Sequence, residues 1–342
     1  MHRRTLLTAA LALGVAGCAP APTPGGSPTP GGSPTPVAPA GPVRATIGLS
    51  YIPNVQFAPF YVGEVKSLFA DVAAQVSLRH HGATEGIFNA LSSGGEDFLV
   101  AAGSEAMQAR AQGVDVVAVG AYYKAFPVTV IVLGGSPIQK LADLKGKSLG
   151  VPGRYGESWL AVQVALDTAG LTEKDVTIVE VGYTQVTALT RKNVDAVVGF
   201  TTNDLIALQA AGAQPRALPV APGTVPLVST CLLTSSAYAA MHPEVVRQVV
   251  AATSKAIEAT AADQKAAIDI AAKQIPGWTA SARPNAEAVL AATVELMQLA
   301  DGRFPPQLDA AQWEAMASFL ATKKLVSTPV AAEEAFTNEY AG

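Results

Sequence analysis

The chain has 342 residues, a formal net charge of −4 and two cysteines. That charge balance, with no basic cluster, excludes an electrostatic nucleic-acid surface. With only Cys231 beyond Cys18, an intramolecular disulfide and a cysteine metal cluster are excluded as well.

Met1–Cys18 reads MHRRTLLTAALALGVAGC. Arg3 and Arg4 precede an apolar run, Leu6–Val15, that is too short to span a bilayer. The run closes on Val15-Ala16-Gly17-Cys18, which resembles a bacterial lipobox. That resemblance implies that residues 1–17 are a signal peptide and that Cys18 is lipidated and becomes the new N-terminus. The Arg-Arg-x-Leu-Leu order is similar to a twin-arginine signal, so the export route stays open. Residues 18–42 repeat PTPGGS and hold almost no bulky apolar side chain, so nothing offsets the entropy of ordering them. They read as a tether between a lipid anchor and a globular part. That part is about 300 residues long, more than one core ordinarily holds, so two domains are expected.

The globular part alternates short strand and helix signals. Strands are expected at Ala45–Leu49, Val76–Arg79, Phe98–Ala102 and Val114–Ala121. Helices are expected between and beside them at Val55–Leu68, Glu85–Leu91 and Ser104–Gln112. A second set has strands at Ser148–Val151, Val176–Val181 and Ala196–Gly199. Its helices are Glu157–Ala169, Thr184–Lys192 and Asn203–Ala211. Leu227–Leu233 returns as a strand, in which Cys231 reads as a buried structural thiol. Helices then dominate, at Pro243–Lys273, Asn285–Ala300 and Asp309–Lys323. Such alternation predicts an α/β fold of two modules with mostly parallel sheets and a cleft between them.

In open α/β sheets ligands sit beyond the carboxyl ends of the strands. The loops there gather nearly half of the chain's aromatic residues, although aromatics make up only 6% of it. The candidate ligand-binding set is Tyr51, Asn54, Gln56, Phe57, Ser104, Glu105, Tyr122, Tyr123, Arg154, Tyr155, Glu157, Trp159, Tyr183, Phe200 and Asn203. Its aromatic members suit a flat ring. Its amides, hydroxyls and carboxyls suit a ring's polar edge. Burying about 250 Å² of ring surface gives roughly 6 kcal/mol, and nanomolar binding needs about 12 kcal/mol, so the polar groups are needed too.

Four segments carry a family resemblance: TIGLSYIPNVQFAPFYVGEVKSLF, LADLKGKSLGVPGRYGES, VEVGYTQVTAL and NVDAVVGFTTNDLIAL. They resemble the substrate-binding proteins of ABC importers related to ThiY and SsuA, over about residues 44–240 and more loosely to 325. Within that family the resemblance runs to its riboflavin-binding, lipobox-bearing members. It implies a two-lobed, type II periplasmic-binding-protein fold with a C-terminal helical segment. Residues 43–133 with 222–342 would form the first lobe and residues 134–221 the second, hinged near Val128–Leu133 and Pro222–Leu227.

The implied role is capture of a neutral heterocyclic vitamin, riboflavin, as transported ligand rather than cofactor, without catalysis. The implied partners are an ABC permease and its ATPase, and a monomer is expected at the outer membrane face. A thiamine pyrimidine precursor is the alternative ligand. A sulfonate or nitrate fits less well, because only Lys124 and Arg154 in these loops are basic. The family's eukaryotic relatives include an iron-using pyrimidine synthase. His2, His80, His81 and His242, without a cysteine cluster, do not match that chemistry. No G-x-S-x-G elbow points to a hydrolase.

Overall fold

The computed structural model describes residues 43–82 and 85–342. The expected signal peptide, the Cys18 anchor and the tether lie outside the described residues. Among the described residues ten strands form two sheets. They are β1 (Arg44–Leu49), β2 (Gln75–His80), β3 (Phe98–Ala102), β4 (Val117–Ala121), β5 (Val128–Leu133), β6 (Ser148–Val151), β7 (Thr177–Glu180), β8 (Ala196–Phe200), β9 (Pro215–Pro219) and β10 (Thr230–Thr234).

The first sheet runs β2-β1-β3-β10-β4 and the second β7-β6-β8-β5-β9. The two repeat one plan. Three strands run parallel, β2, β1 and β3 in the first and β7, β6 and β8 in the second. A fourth, β10 or β5, pairs antiparallel on both of its sides. That antiparallel strand is supplied in each sheet by chain that follows the other. The chain passes from the first sheet to the second between β4 and β5, and returns between β9 and β10.

Composition follows position. β3 (FLVAA) and β4 (VAVGA) are buried throughout, as unbroken apolar strands covered on both faces should be. The edge strand β7 leaves its two glutamate and threonine ends exposed. β9 begins and ends with proline, which an edge tolerates because one row of its N–H groups has no ladder partner. Val128–Leu133, expected near a hinge, pairs inside the second sheet with β8 and β9. Pro222–Leu227 is irregular.

Among the described residues twelve α-helices cover the sheets. Those associated with the strands are α1 (Ala58–Val65), α2 (Asn89–Ser93), α3 (Gly103–Ala111), α4 (Gly156–Thr168), α5 (Gln185–Thr190) and α6 (Asp204–Ala210). The C-terminal layer holds α7 (Ser236–Met241), α8 (Pro243–Ala262), α9 (Gln264–Gln274), α10 (Arg283–Met297), α11 (Ala310–Thr322) and α12 (Ala332–Ala335). The helix expected over Pro243–Lys273 divides at Asp263, whose extended backbone ends α8 and whose side chain accepts from Ala266 N at 2.9 Å to cap α9. Trp313 of α11 is fully buried and stacks on Phe336, with centroids 5.3 Å apart.

Candidate functional site

The loops after the parallel strands of the two sheets meet. Gln56, in the turn after β1, donates from Nε2 to Thr202 Oγ1 at 2.6 Å. Its Oε1 accepts from Asn203 Nδ2 at 3.3 Å. Both partners belong to the loop after β8. The main chain of Gln56 is held from its own side, since its carbonyl accepts from the Tyr122 hydroxyl at 2.8 Å. Tyr122 is buried and stacked on Phe60. The Asn54 side chain accepts from Gln56 N at 3.1 Å and caps the short 3-10 turn Val55–Phe57. Phe57 is buried edge-on against His80. Asn54, Phe57 and Tyr122 therefore shape the first wall from behind and hold Gln56 across the cleft.

Two helix starts also face each other. Glu105 lies in the first turn of α3, after β3, and Glu157 in the first turn of α4, after β6. Glu105 Oε1 lies 3.2 Å from where a Cβ on Gly156 would be. Gly156 also has φ +66, a backbone conformation that favours glycine. Glu157 is 7% exposed and its Oε1 has no hydrogen-bond partner. It faces Ser229, a residue 4% exposed, whose hydroxyl is close enough to oppose the rise of the Glu157 carboxyl but makes no hydrogen bond of ordinary geometry. The fully buried Ser104 hydroxyl is a third orphan. Ser104 and Ser229 are neighbours, because Gly103 N and Ser104 N donate to Ser229 O and Val228 O.

Electrostatics mark the same place. Burial pushes the Glu105 carboxyl up to about 7, opposed by the Ala102 backbone. Burial, then the nearby Glu105, pushes Glu157 up to about 8, opposed by Ser229. Burial also raises the Tyr123 hydroxyl; Glu157 adds to this and Thr293 opposes it. The Cys231 thiol is raised by burial and by Glu157. Such raised groups concentrate where polar chemistry is held out of water.

At the mouth stand three exposed tyrosines, Tyr51, Tyr155 and Tyr183. The Tyr183 hydroxyl lies against that of Tyr155 and near Tyr51, and the Tyr155 contact is the main cause that lifts it to about 12. Arg154 and Trp159 are placed together elsewhere. The guanidinium sits 4.7 Å over the Trp159 ring and pairs with Glu173 and Glu180. Phe200 is half-buried at the end of β8, its N donating to Asp204 Oδ2 at 2.8 Å. Ser229, Thr202 and Thr293 join the site without having been singled out as candidates.

β2 ends in an ionic network centred on the buried Glu96 carboxylate. Glu96 accepts from Arg79 Nη1 at 2.6 Å and lies 2.8 Å from His81 Nε2, and Arg79 also reaches Glu85 at 2.7 Å. A Cβ on Gly48 of β1 would overlap the Glu96 carboxylate.

Residues 54–267 match the family described as NMT1/THI5 like. The chain is 31% identical over 301 residues to the riboflavin-binding protein RibY of Chloroflexus aurantiacus, covering 87% of this chain and 86% of that one. It is 23% identical to a 4-amino-5-hydroxymethyl-2-methylpyrimidine phosphate synthase of Legionella pneumophila, over 48% of this chain. Its fold is similar to that of the periplasmic aliphatic sulphonate binding protein SsuA of Escherichia coli. There the TM-score is 0.67 and the identity 20%, over 86% of this chain and 91% of that one. The α/β architecture of two sheets is thus that of the periplasmic binding proteins. Among the described residues no helix is long and apolar enough to cross a membrane.

Proposed function

The chain belongs to the NMT1/THI5-like family, and we propose that as a substrate-binding protein of ABC-type import it captures riboflavin. The observation that carries the ligand class is the Glu105–Glu157 pair at the cleft floor, with orphaned oxygens on Glu157, Ser104 and Ser229 and no cation among the groups that perturb either carboxyl. An anion would meet two carboxylates there instead of a guanidinium or ammonium. A neutral molecule with N–H and O–H donors would satisfy those oxygens, which are costly to bury unpaired. Riboflavin offers an imide N–H, a polyhydroxyl tail and a flat ring for the tyrosines at the mouth. RibY is the relative whose name fits this chemistry.

A thiamine pyrimidine precursor is the second reading, because an exocyclic amine would also donate to these carboxylates, and a pyrimidine synthase is among the relatives. A sulfonate suits the floor poorly. The lobes would be residues 43–127 with 222–342, and residues 128–221, since β5 (Val128–Leu133) pairs within the second sheet. Cys18 would anchor the chain by lipid at the outer face of the membrane, and a permease with its ATPase would receive the loaded protein as a monomer.

Titration of riboflavin with purified protein tests the ligand. Stacked tyrosines should quench flavin fluorescence with submicromolar affinity. No quench and no heat by calorimetry, while the aminopyrimidine binds, would move the assignment to the second reading.

A further inference from the structure

We propose that Glu105 and Glu157 are the specificity-determining pair of this cleft: the lobes close on a molecule that places a hydrogen-bond donor between the two carboxyls, and a proton held by the pair stands in for that donor when the cleft is empty. The proposal rests on the cleft being the binding site, and not on riboflavin being its ligand.

The geometry comes first. Each carboxyl belongs to a different lobe, at the start of a helix that follows a parallel strand, and the Glu105 oxygen comes up against Gly156, the residue beside Glu157. They approach only because the lobes are shut, as the Gln56 bridge to Thr202 and the Lys323–Asp167 ion pair show. Drawing the lobes apart would return both carboxyls to water. Closing them removes Glu157 from water and leaves its Oε1, Ser229 Oγ and Ser104 Oγ without partners.

Nothing facing the pair neutralises it. Glu157 faces Glu105, Tyr123, Ser229 and Cys231, and Glu105 lies near Tyr183. The two cations of the strand-end loops, Lys124 and Arg154, are engaged elsewhere. Lys124 donates to Gln307 O and interacts with Asp309 and Cys231, while Arg154 is tied to Glu173 and Glu180. Two like charges buried side by side resist ionising together.

The sign follows from linkage. In the closed form both carboxyls titrate above their ordinary value of 4.5, whereas in an open form they would titrate near it. The closed form therefore binds protons more tightly. Its protonation advantage is fully present below the ordinary carboxylate range and is lost as pH rises through the raised values. At neutral pH and above, an empty cleft is pushed open. A ligand that brings donors recovers closure, because it stabilises the closed state selectively. A ligand that brings only acceptors does not.

Small-angle scattering on the purified full chain tests this. Without ligand the radius of gyration should be smaller at pH 5 than at pH 8.5. In Glu105→Gln/Glu157→Gln it should stay at the small value throughout, since an amide supplies a donor at every pH. Glu105→Gln alone, at the half-buried position, should respond less than the wild type and serves if the double variant does not fold. A wild-type radius that does not change with pH, or an undiminished response in the variants, overturns the proposal. At pH 8.5 riboflavin should restore the small radius and ethanesulfonate, which has acceptors only, should not. Compaction by ethanesulfonate also overturns it. Failure of riboflavin alone, with the pH response intact, sinks the riboflavin assignment and leaves the carboxyl pair standing.

Discussion

Gln56 and Thr202 are 146 positions apart in sequence, yet their side chains meet at 2.6 Å across the cleft. One residue of the first lobe thereby holds the loop that follows the central strand β8 of the second, with Asn203 as a weaker second contact. Removing the amide should loosen closure. Gln56→Ala is expected to weaken ligand binding about five-fold, the worth of roughly 1 kcal/mol of net hydrogen bonding. A riboflavin titration reads the loss, and an unchanged affinity would show that this bridge plays no part in closing on ligand.

Gly48→Ala tests the network behind the first wall. The added methyl would displace the buried Glu96 carboxylate from buried His81 and from the partly exposed Arg79. Overpacking combined with a broken buried charge network should cost about 2–4 kcal/mol of stability. Urea unfolding measures it. A loss of less than about 0.5 kcal/mol, the range of a neutral surface change, would mean that Glu96 moves aside freely.

The tyrosines at the mouth make a separate prediction. Tyr155→Ala should reduce riboflavin affinity by about 1–3 kcal/mol, the scale of one stacked ring with its buried area. Tyr51→Ala and Tyr183→Ala should act in the same direction. Equal affinity in all three, measured by flavin quenching, would place the ring deeper in the cleft.

The proposed anchor predicts that Cys18→Ala releases the protein from membranes. Washing membranes in high salt and blotting the pellet decides it, because charge-based adhesion would be screened. Retention of the variant in the salt-washed pellet would require another means of attachment.

Much of the architecture was legible because it is local. The unbroken apolar run Phe98–Ala102 is the strand predicted, and Arg44–Leu49 begins one residue before the prediction. The helix expected over Val55–Leu68 is instead a 3-10 turn, Val55–Phe57, capped by Asn54, followed by α1 from Ala58 to Val65 with Pro59 in its first turn. β9 was missed, because prolines at both ends read as loop in a sequence and only its place at an edge permits a strand. In the site, Glu105 and Glu157 stood out as strand-end polar residues, but nothing local shows that they face each other. Ser229 read as part of an apolar strand. It enters the site because β10 is inserted between β3 and β4, a pairing over more than a hundred residues that periodicity does not report.

That insertion also sets the order in which the chain can become complete. All five strands of the second sheet lie within residues 128–219, so it can finish as soon as the chain has been made to Pro219. The first sheet starts earlier and must wait. Until Thr230–Thr234 arrives, β3 and β4 have no common neighbour and each shows an apolar edge to its surroundings. Unpaired edges of this kind invite pairing with other chains. The stage at which this chain is most open to pairing with others is therefore the short stretch of synthesis between Pro219 and Thr234, when the second sheet can already be complete and the first still lacks its shared strand.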